Sequence, residues 1–332
     1  MCGIVGYIGE EQAAPILLDG LSHLEYRGYD SAGIAVFHDG KICMSKAPGK
    51  LKALTSLTEN GEAMPGKSGI GHTRWATHGE PNETNAHPHL NAMGTIAVVH
   101  NGIIENYMKY KTMLEKKGYV FQSDTDTEVI VHMLDYYYKG SPVRTIAHVM
   151  HRLEGSYALG ILFADHPDEV YAARKDSPLI VGASDSGSFI ASDVPAILHY
   201  TRKVWYMENG EIAVLRKDAI SFYNNDGDGI EKDSVTIDWD ENAAEKGGYE
   251  HFMLKEIHEQ PEAVRKTLFP DAVNPRLTED GVSIKELELT DEEIRAFKKI
   301  FIVACGSAYH VGVTGKYVIE GMARIPVEVD LA

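Results

Sequence analysis

Met1-Cys2-Gly3-Ile4-Val5-Gly6 opens the chain and decides how the rest of it is read. A small residue after the initiator methionine permits its removal, which would leave Cys2 as the N-terminal residue. One residue then carries both a thiol nucleophile and a free α-amine. The amine, with an ordinary pKa of about 7.7–8.0 against about 8.5 for a free thiol, can take the thiol's proton near neutral pH. Gly3 is expected to let the backbone approach a substrate closely, and Ile4-Val5 begin an apolar strand that holds the terminus in place.

Working outward, residues 3 to about 240 have the texture of many short strands with a few helices. Gly3–Gly9 and Ala32–Phe37 read as buried strands, and Glu11–Leu24 has helical spacing of Ile16, Leu17, Leu21 and Leu24. Asp39-Gly40 signals a hairpin into Lys41–Ser45. Thr95–Val99 reads as a central strand, followed by helices near Asn106–Lys117, Thr127–Tyr138 and Val143–Leu153. Strands return at Ser156–Phe163, Glu169–Arg174, Leu179–Gly182 and Phe189–Ala191, and Asn209-Gly210 is expected to join Val204–Met207 to Glu211–Leu215 as a hairpin. Strands in runs with helices grouped between them predict a layered α+β sandwich.

The polar, glycine-ending stretch Asp238–Gly248 predicts a domain boundary. Tyr249–Leu268 reads as a helix broken at Pro261. Beyond it come a helix at Asp291–Lys298, an apolar strand at Ile300–Ala304, a sharp turn at Gly306-Ser307, a helix at Ala308–Ala323 and a strand at Val327–Leu331. Strand, glycine turn, helix and strand make the opening unit of a doubly wound domain, with the turn where such folds bind ligands. Two parallel strands cannot bury both faces, so a fragment of a larger domain is expected.

Composition narrows the classes. The chain has 332 residues, 44% of them hydrophobic, and a formal charge of -17. That balance repels phosphate backbones and anionic lipid, so neither nucleic acid nor membrane partners are expected. Three cysteines, Cys2, Cys43 and Cys305, form no disulfide framework and fit a reducing cytoplasm. There is no basic leader, and no apolar run reaches the roughly 18 residues of a membrane span.

Three polar segments of the first domain can carry chemistry. In Gly71-His72-Thr73-Arg74-Trp75-Ala76-Thr77-His78-Gly79-Glu80-Pro81, Arg74 can grip a carboxylate bidentately while Thr77 and His78 add donors. In His100-Asn101-Gly102, at the end of the Thr95–Val99 strand, an amide beside a glycine N–H makes a pair of donors suited to an oxyanion. In Ser123-Asp124-Thr125-Asp126-Thr127-Glu128, spacing favours Thr125 or Asp126 as a helix cap. His72, His78, His87, His89 and His100 invite a zinc reading, but without Cys partners or an HExxH spacing they read better as hydrogen-bonding loop histidines. Asn224-Asn225-Asp226-Gly227-Asp228-Gly229 resembles the start of a calcium loop, yet Val235 stands where a bidentate Glu is needed, so a surface turn is expected.

The terminal Cys-Gly-Ile-Val-Gly, Tyr26-Arg27-Gly28-Tyr29-Asp30-Ser31, the His72–Gly79 run and His100-Asn101-Gly102 together resemble the class II, N-terminal-nucleophile glutamine amidotransferases. Within that class they are most similar to the glucosamine-6-phosphate synthase family. Lys255-Glu256-Ile257-His258-Glu259-Gln260-Pro261 and Cys305-Gly306-Ser307-Ala308-Tyr309-His310 extend the likeness to the end of the chain.

The resemblance implies a four-layer αββα N-terminal-nucleophile hydrolase sandwich over 2–240, a linker over 241–290, and over 291–332 the incomplete start of an α/β sugar isomerase (SIS) domain. It implies that Cys2 attacks the side-chain amide of glutamine with its own α-amine as base, and that Asn101 and Gly102 hold the oxyanion. Arg74, Thr77 and His78 would bind the α-carboxylate and Asp126 the α-ammonium, which overrules the cap reading. Trp75 would gate ammonia, Arg27 would frame the thiol, and Gly306 and Ser307 would touch a sugar phosphate. The products would be glutamate and ammonia by way of a γ-glutamyl thioester. In a complete family member the ammonia converts fructose 6-phosphate to glucosamine 6-phosphate, without metal or organic cofactor, in a cytoplasmic homodimer joined through its SIS domains. Two departures stand out: the SIS part ends at about half its usual length, and Ser307-Ala308 replaces a frequent Thr-Ser. A glutaminase half is therefore the expectation, with an inactive sensor of amino sugars or sugar phosphates as the alternative. A chain that keeps Met1 is expected to have negligible activity, because its amine would be an amide.

Overall fold

Strand β1, Gly3–Gly9, is buried at every position. Successive side chains of a strand point to opposite faces, so Val5 and Tyr7 enter one core while Ile4 and Ile8 enter another. A strand buried on both faces needs cover on both sides, and that requirement organises what surrounds it. The computed structural model describes residues 2–76, 79–238, 248–270, 275–279, 281–284 and 287–332. The chain divides into two units, 1–245 and 246–332.

In the first unit β1 lies between β4 (Ser68–Arg74) and β10 (Gly187–Ala191), antiparallel to both. The sheet continues through β2 (Ser31–His38) and β3 (Lys41–Pro48) on one side, and through β9 (Ile180–Ser184), β11 (Lys203–Tyr206) and β15 (Val235–Thr236) on the other. The hairpin expected at Asp39-Gly40 is present, with both residues at positive φ. A second antiparallel sheet runs β14 (Gly229–Ile230), β13 (Ile220–Tyr223), β12 (Ile212–Leu215), β8 (Val170–Lys175), β7 (Gly155–Phe163), β6 (Ile96–Ile104) and β5 (His89–Leu90).

Three apolar clusters hold these parts together. Helix α1 (Ala13–Ser22) lays Leu17 and Leu21 with Val5, Tyr7 and Phe189, and α2 (Leu51–Leu57) adds Leu51 and Leu54. Helices α3 (Tyr107–Glu115), α4 (Thr127–Tyr137) and α5 (Pro142–Met150) bring Leu114, Ile130 and Ile146 to Leu159 and Phe163 of the second sheet. A third cluster joins the two sheets directly, with Ile4, Ile70 and Ile190 of the first meeting Val99, Ala158 and Leu162 of the second. Each buried Val, Leu, Ile or Phe among them stabilises the fold by about 1.5–3 kcal/mol relative to exposure.

Two sequence expectations about this unit's strands need correction. Val204–Met207 and Glu211–Leu215 do not form a hairpin: β11 pairs with β9 in one sheet, and β12 pairs with β8 and β13 in the other. Asn209-Gly210 is a crossing between sheets, tied down by the Asn209 amide on Asp176 at 2.6 Å and by Gly210 N–H on Arg174 O at 2.9 Å. The Thr95–Val99 strand is longer than expected, running to Ile104, and it stands next to the sheet edge, with only two-residue β5 outside it. The Asn224 segment is a turn, as expected, closed by Asn224 Oδ1 on the N–H groups of Asp226 and Asp228.

In the second unit, α6 (Phe252–Leu268) runs through Pro261 without the expected break. Proline removes one helical hydrogen bond, and almost every described side chain of this helix is solvent-exposed. β16 (Leu277–Thr278) and β17 (Gly281–Val282) pair as a short ribbon. Thr290 closes a capping box with Glu293 at the head of α7 (Asp291–Ala296). β18 (Ile300–Ala304) and β19 (Val327–Leu331) are parallel, Ile300 opposite Val327, with α8 (Gly306–Ala323) connecting them. Gly306 begins that helix at φ +60°. No helix among the described residues is long and apolar enough to cross a membrane.

Candidate functional site

The register of β1 on β4 sets Gly3 opposite Thr73. Cys2, one residue earlier, therefore stands beside the chain leaving β4 at Arg74-Trp75. Trp75 N–H donates to Cys2 Sγ at 3.2 Å, and the thiol lies 3.6 Å from Trp75 O. Burial pushes the thiol's pKa up, while the Trp75 N–H and the Arg74 charge oppose that and the Asp126 carboxylate adds to it. At neutral pH the sulfur is a thiol that needs a base. Behind β1, a Cβ on Gly3 would sit 2.7 Å from Leu24 Cβ and from Thr73 Oγ1. Packing against Leu24 and Thr73 thus requires a glycine here.

The Arg27–Asp30 segment braces the same corner. Asp30 N–H donates to Arg74 O at 3.0 Å, and Asp30 Oδ2 accepts Ala76 N–H at 2.8 Å. Gly28 lies so close that a Cβ would come within 2.8 Å of Arg74 C and Trp75 N. Tyr29 meets Trp75 edge-on, with centroids 5.8 Å apart, and both rings are about half exposed. Arg27 pairs with Asp193 and donates to Tyr26 Oη at 3.0 Å. Next to Asp193, Ser192 accepts Ile4 N–H at its hydroxyl oxygen and donates its own N–H to Ile4 O, both at 3.0 Å. The bracing function of Asp30 was not assigned from sequence. Only its place in the Tyr26–Ser31 motif hinted at it.

His100, Asn101 and Gly102 lie inside β6, not past its end. Asn101 Nδ2 donates to Cys2 O at 3.1 Å, which ties the second sheet to the residue carrying the thiol. Gly102 adopts φ +132°, where a Cβ would stand 2.0 Å from Ser156 O. No other residue fits there, and that conformation turns the backbone out of the ordinary strand geometry beside Asn101.

Asp126 occupies the position before α4 but does not cap it. Its Oδ2 accepts Ile104 N–H at 2.7 Å. The tertiary partner across the sheet displaces the local one that spacing favoured. Thr125 does not cap either, since its hydroxyl meets Ser123 and His89. Glu128 is the hub of this turn, taking the N–H groups of Gln122 and Ser123 and the Ser123 hydroxyl at 2.6 Å. Arg74 is buried and reaches the carbonyls of Glu80 and Gly79 at 3.4 and 3.3 Å. Thr77 and His78 lie outside the described residues. The Arg74 guanidinium and the Asp126 carboxylate are close enough to act on the thiol's ionisation, and the thiol and Asp126 to act on that of Arg74.

Four of the five histidines raised for zinc are described, and all four are buried. His72 and His87 pack with centroids 4.2 Å apart, and His87 stands 5.0 Å from His89. Desolvation holds His72 and His89 at about 3, so both are neutral rings. Their contacts are hydrogen bonds to Asn101, Thr125 and backbone. Among the described residues no group of three or more His, Cys, Asp or Glu could hold a metal ion. Gly306 and Ser307 lie in the second unit, in the first turn of α8.

A family profile described as "Glutamine amidotransferase domain" matches residues 72–199. Curated relatives named glutamine–fructose-6-phosphate aminotransferase [isomerizing] align over the whole chain. The one from Caldanaerobacter subterraneus subsp. tengcongensis is 57% identical over 332 residues and the one from Aquifex aeolicus 45%. The chain spans about half the length of these relatives, 54% in each case. A solved structure of glutamine phosphoribosylpyrophosphate amidotransferase from B. subtilis, in complex with ADP and GMP, superposes with a TM-score of 0.62 at 21% identity, covering 99% of this chain and 65% of that one. A structure described as the allosteric regulatory enzyme of purine biosynthesis gives a TM-score of 0.58 at 29% identity, covering 68% of this chain and 49% of that one. These likenesses agree with an N-terminal-nucleophile hydrolase fold.

Proposed function

We propose that this chain is a glutamine amidotransferase, as the domain match over residues 72–199 supports, and that its first unit hydrolyses glutamine to glutamate and ammonia with Cys2 as nucleophile. The observation that carries this reading is the thiol of Cys2 held by Trp75 N–H while Asn101, from the opposite sheet, holds the carbonyl of the same residue. Nucleophile and oxyanion donor thus come from two sheets locked together by a common apolar core.

Removal of Met1 frees the α-amine of Cys2. The amine takes the thiol proton as sulfur attacks the amide carbon, and Asn101 Nδ2 and Gly102 N–H receive the developing oxyanion. The ammonium returns its proton to the departing nitrogen, so ammonia leaves and a γ-glutamyl thioester remains. Water, deprotonated by the same amine, cleaves the thioester to glutamate and restores the thiol. Arg74, with Thr77 and His78, grips the α-carboxylate, and the Asp126 carboxylate takes the α-ammonium. Their opposite charges beside the thiol match the zwitterionic end of glutamine. Trp75 controls the departure of ammonia, and Arg27, through Asp193, frames the thiol's surroundings.

The fold reading that accompanies this is the four-layer αββα sandwich, supported by the cluster that joins the two sheets and the two that join each sheet to its helices. For the protein as a whole the reading is amination of fructose 6-phosphate to glucosamine 6-phosphate, supported by the names of the relatives. Residues 2–240 form the glutaminase, 241–290 the linker and 291–332 the beginning of the isomerase domain, in which Gly306 and Ser307 face sugar phosphate. A cytoplasmic homodimer through the isomerase domains completes it.

The test is intact mass before and after 6-diazo-5-oxo-norleucine, a glutamine-like electrophile. The expected result is loss of Met1 and one adduct mapped to Cys2. A Met1-free chain that stays unlabelled and releases no glutamate from glutamine overturns the reading.

A further inference from the structure

We infer that His72, which the functional reading leaves unused, is the positioning residue that orients the Asn101 amide, through a ring tautomer set by the carbonyl of His100. The inference rests on the glutamine-hydrolysis reading for its consequence, but its geometry stands independently. His72 Nε2 lies 3.0 Å from His100 O and 3.0 Å from Asn101 Oδ1. A backbone carbonyl can only accept, so Nε2 must carry the hydrogen. A nitrogen that carries hydrogen toward two acceptors cannot accept from an amide NH₂. Asn101 therefore presents Oδ1 to His72 and turns Nδ2 the other way, onto Cys2 O at 3.1 Å.

The two other possible states of the ring are closed off. His72 has no exposed surface, and burial holds it neutral down to about pH 3, so the doubly protonated ring is absent at working pH. The alternative tautomer, with hydrogen on Nδ1, would leave His100 O facing a lone pair and would give Nδ1–H no acceptor, since no partner for Nδ1 exists among the described residues. An unpaired buried donor costs about 1–3 kcal/mol. The ring itself cannot pivot freely, being packed 4.2 Å from His87. Its backbone is fixed too, with His72 opposite Ile4 in β1 and opposite Gly33 in β2. The orientation of the amide is thus dictated by a backbone carbonyl one residue before it, relayed by a neutral imidazole from the other sheet.

An Asn amide reversed in place would present oxygen, not N–H, to an oxyanion. Loss of one such donor lowers kcat by about 10²–10³-fold. The test compares His72→Phe, His72→Asn and His72→Gln. A Gln amide nitrogen falls near the position of Nε2 and an Asn amide nitrogen near that of Nδ1, so only His72→Gln restores the donor. In glutamine hydrolysis, His72→Phe and His72→Asn are expected to lose kcat by roughly 100-fold with KM for glutamine little changed, and His72→Gln to recover most of that loss. Equal loss in all three, or a rise in KM with kcat intact, overturns the inference. A second measurement on the unaltered chain needs neither folding of a variant nor turnover. The ¹⁵N shifts of the His72 ring should report hydrogen on Nε2 alone from pH 6 to 9. Hydrogen on Nδ1 overturns the inference even if glutamine is hydrolysed. Hydrogen on Nε2 in a chain that binds no glutamine-like electrophile upholds the relay and removes the functional reading instead.

Discussion

Asn101, on the second sheet, donates its side-chain amide to the carbonyl of Cys2, on the first, at 3.1 Å. This contact spans 99 residues of sequence, and it makes the position of Cys2 depend on how the two sheets pack. The expectations that follow concern that corner and the core that holds it.

The buried thiol of Cys2 should titrate above an ordinary cysteine, because burial disfavours the thiolate more than Trp75 N–H and Arg74 favour it. Alkylation by iodoacetamide follows the thiolate fraction, so its rate at Cys2 should still be climbing at pH 9. Glutamine turnover should instead level off above about pH 8, once the α-amine is neutral. Peptide mapping separates Cys2 from the exposed Cys43 and Cys305. Alkylation of Cys2 that is already at a plateau at pH 8 contradicts the burial argument.

Substitution at the two charges should act on binding more than on chemistry. Arg74→Lys loses the planar two-pronged grip on a carboxylate, and Asp126→Asn loses the attraction for an ammonium. Each should raise KM for glutamine about tenfold or more, the equivalent of 1.4 kcal/mol, with a smaller change in kcat. Steady-state glutamate release measures both. An unchanged KM in both variants would remove these residues from the substrate site.

Gly102→Ala should damage stability and turnover together. At φ +132° the new Cβ meets Ser156 O at 2.0 Å, so the strand must shift. A strained backbone position costs of order 1–3 kcal/mol, readable as a lower urea midpoint, and kcat should fall because the N–H at this position moves. A variant as stable and as active as the parent would show that the backbone relaxes without moving the site.

Acidification should weaken the fold before carboxylates titrate. The buried rings of His72 and His89 are held near 3, below the ordinary 6.5, so between those values the unfolded chain binds protons that the folded chain refuses. Stability is then complete above about pH 6.5 and falls as pH drops toward 3, by at most about 1.4 kcal/mol per pH unit for each such ring. Glu128, held at about 2 by its hydrogen bonds, adds a loss only below its ordinary 4.5. Urea melts at pH 7.5, 6.5 and 5.5 isolate the histidine part. Equal midpoints at 6.5 and 5.5 would contradict it.

Much of this was legible in the linear chain. Gly3–Gly9 was found to the residue because seven buried positions leave a continuous apolar run. Helix α4 was found from its periodicity and lies within one residue of expectation. Asp39-Gly40 was read correctly because a tight hairpin is a local matter of backbone conformation. Asn209-Gly210 carries the same kind of signal but closes no hairpin. A turn type does not say whether the strand that follows returns to its own sheet or passes to another. That choice is made by Arg174, Asp176 and Asn209, which meet only after folding.

By itself the sequence determined the nucleophile candidate, the alternation of strands and helices, and the motifs that resemble those of the glutamine amidotransferases. All of these are written in neighbouring residues, where spacing and chemical type suffice. Tertiary structure alone decided that Asp126 accepts from Ile104 instead of capping α4, that Gly3 is needed by Leu24 and Thr73, and that a neutral His72 relays the His100 carbonyl to Asn101. A hydrogen-bonding group takes the partner that burial leaves it. Burial depends on which distant strands share a core, and no local spacing records that.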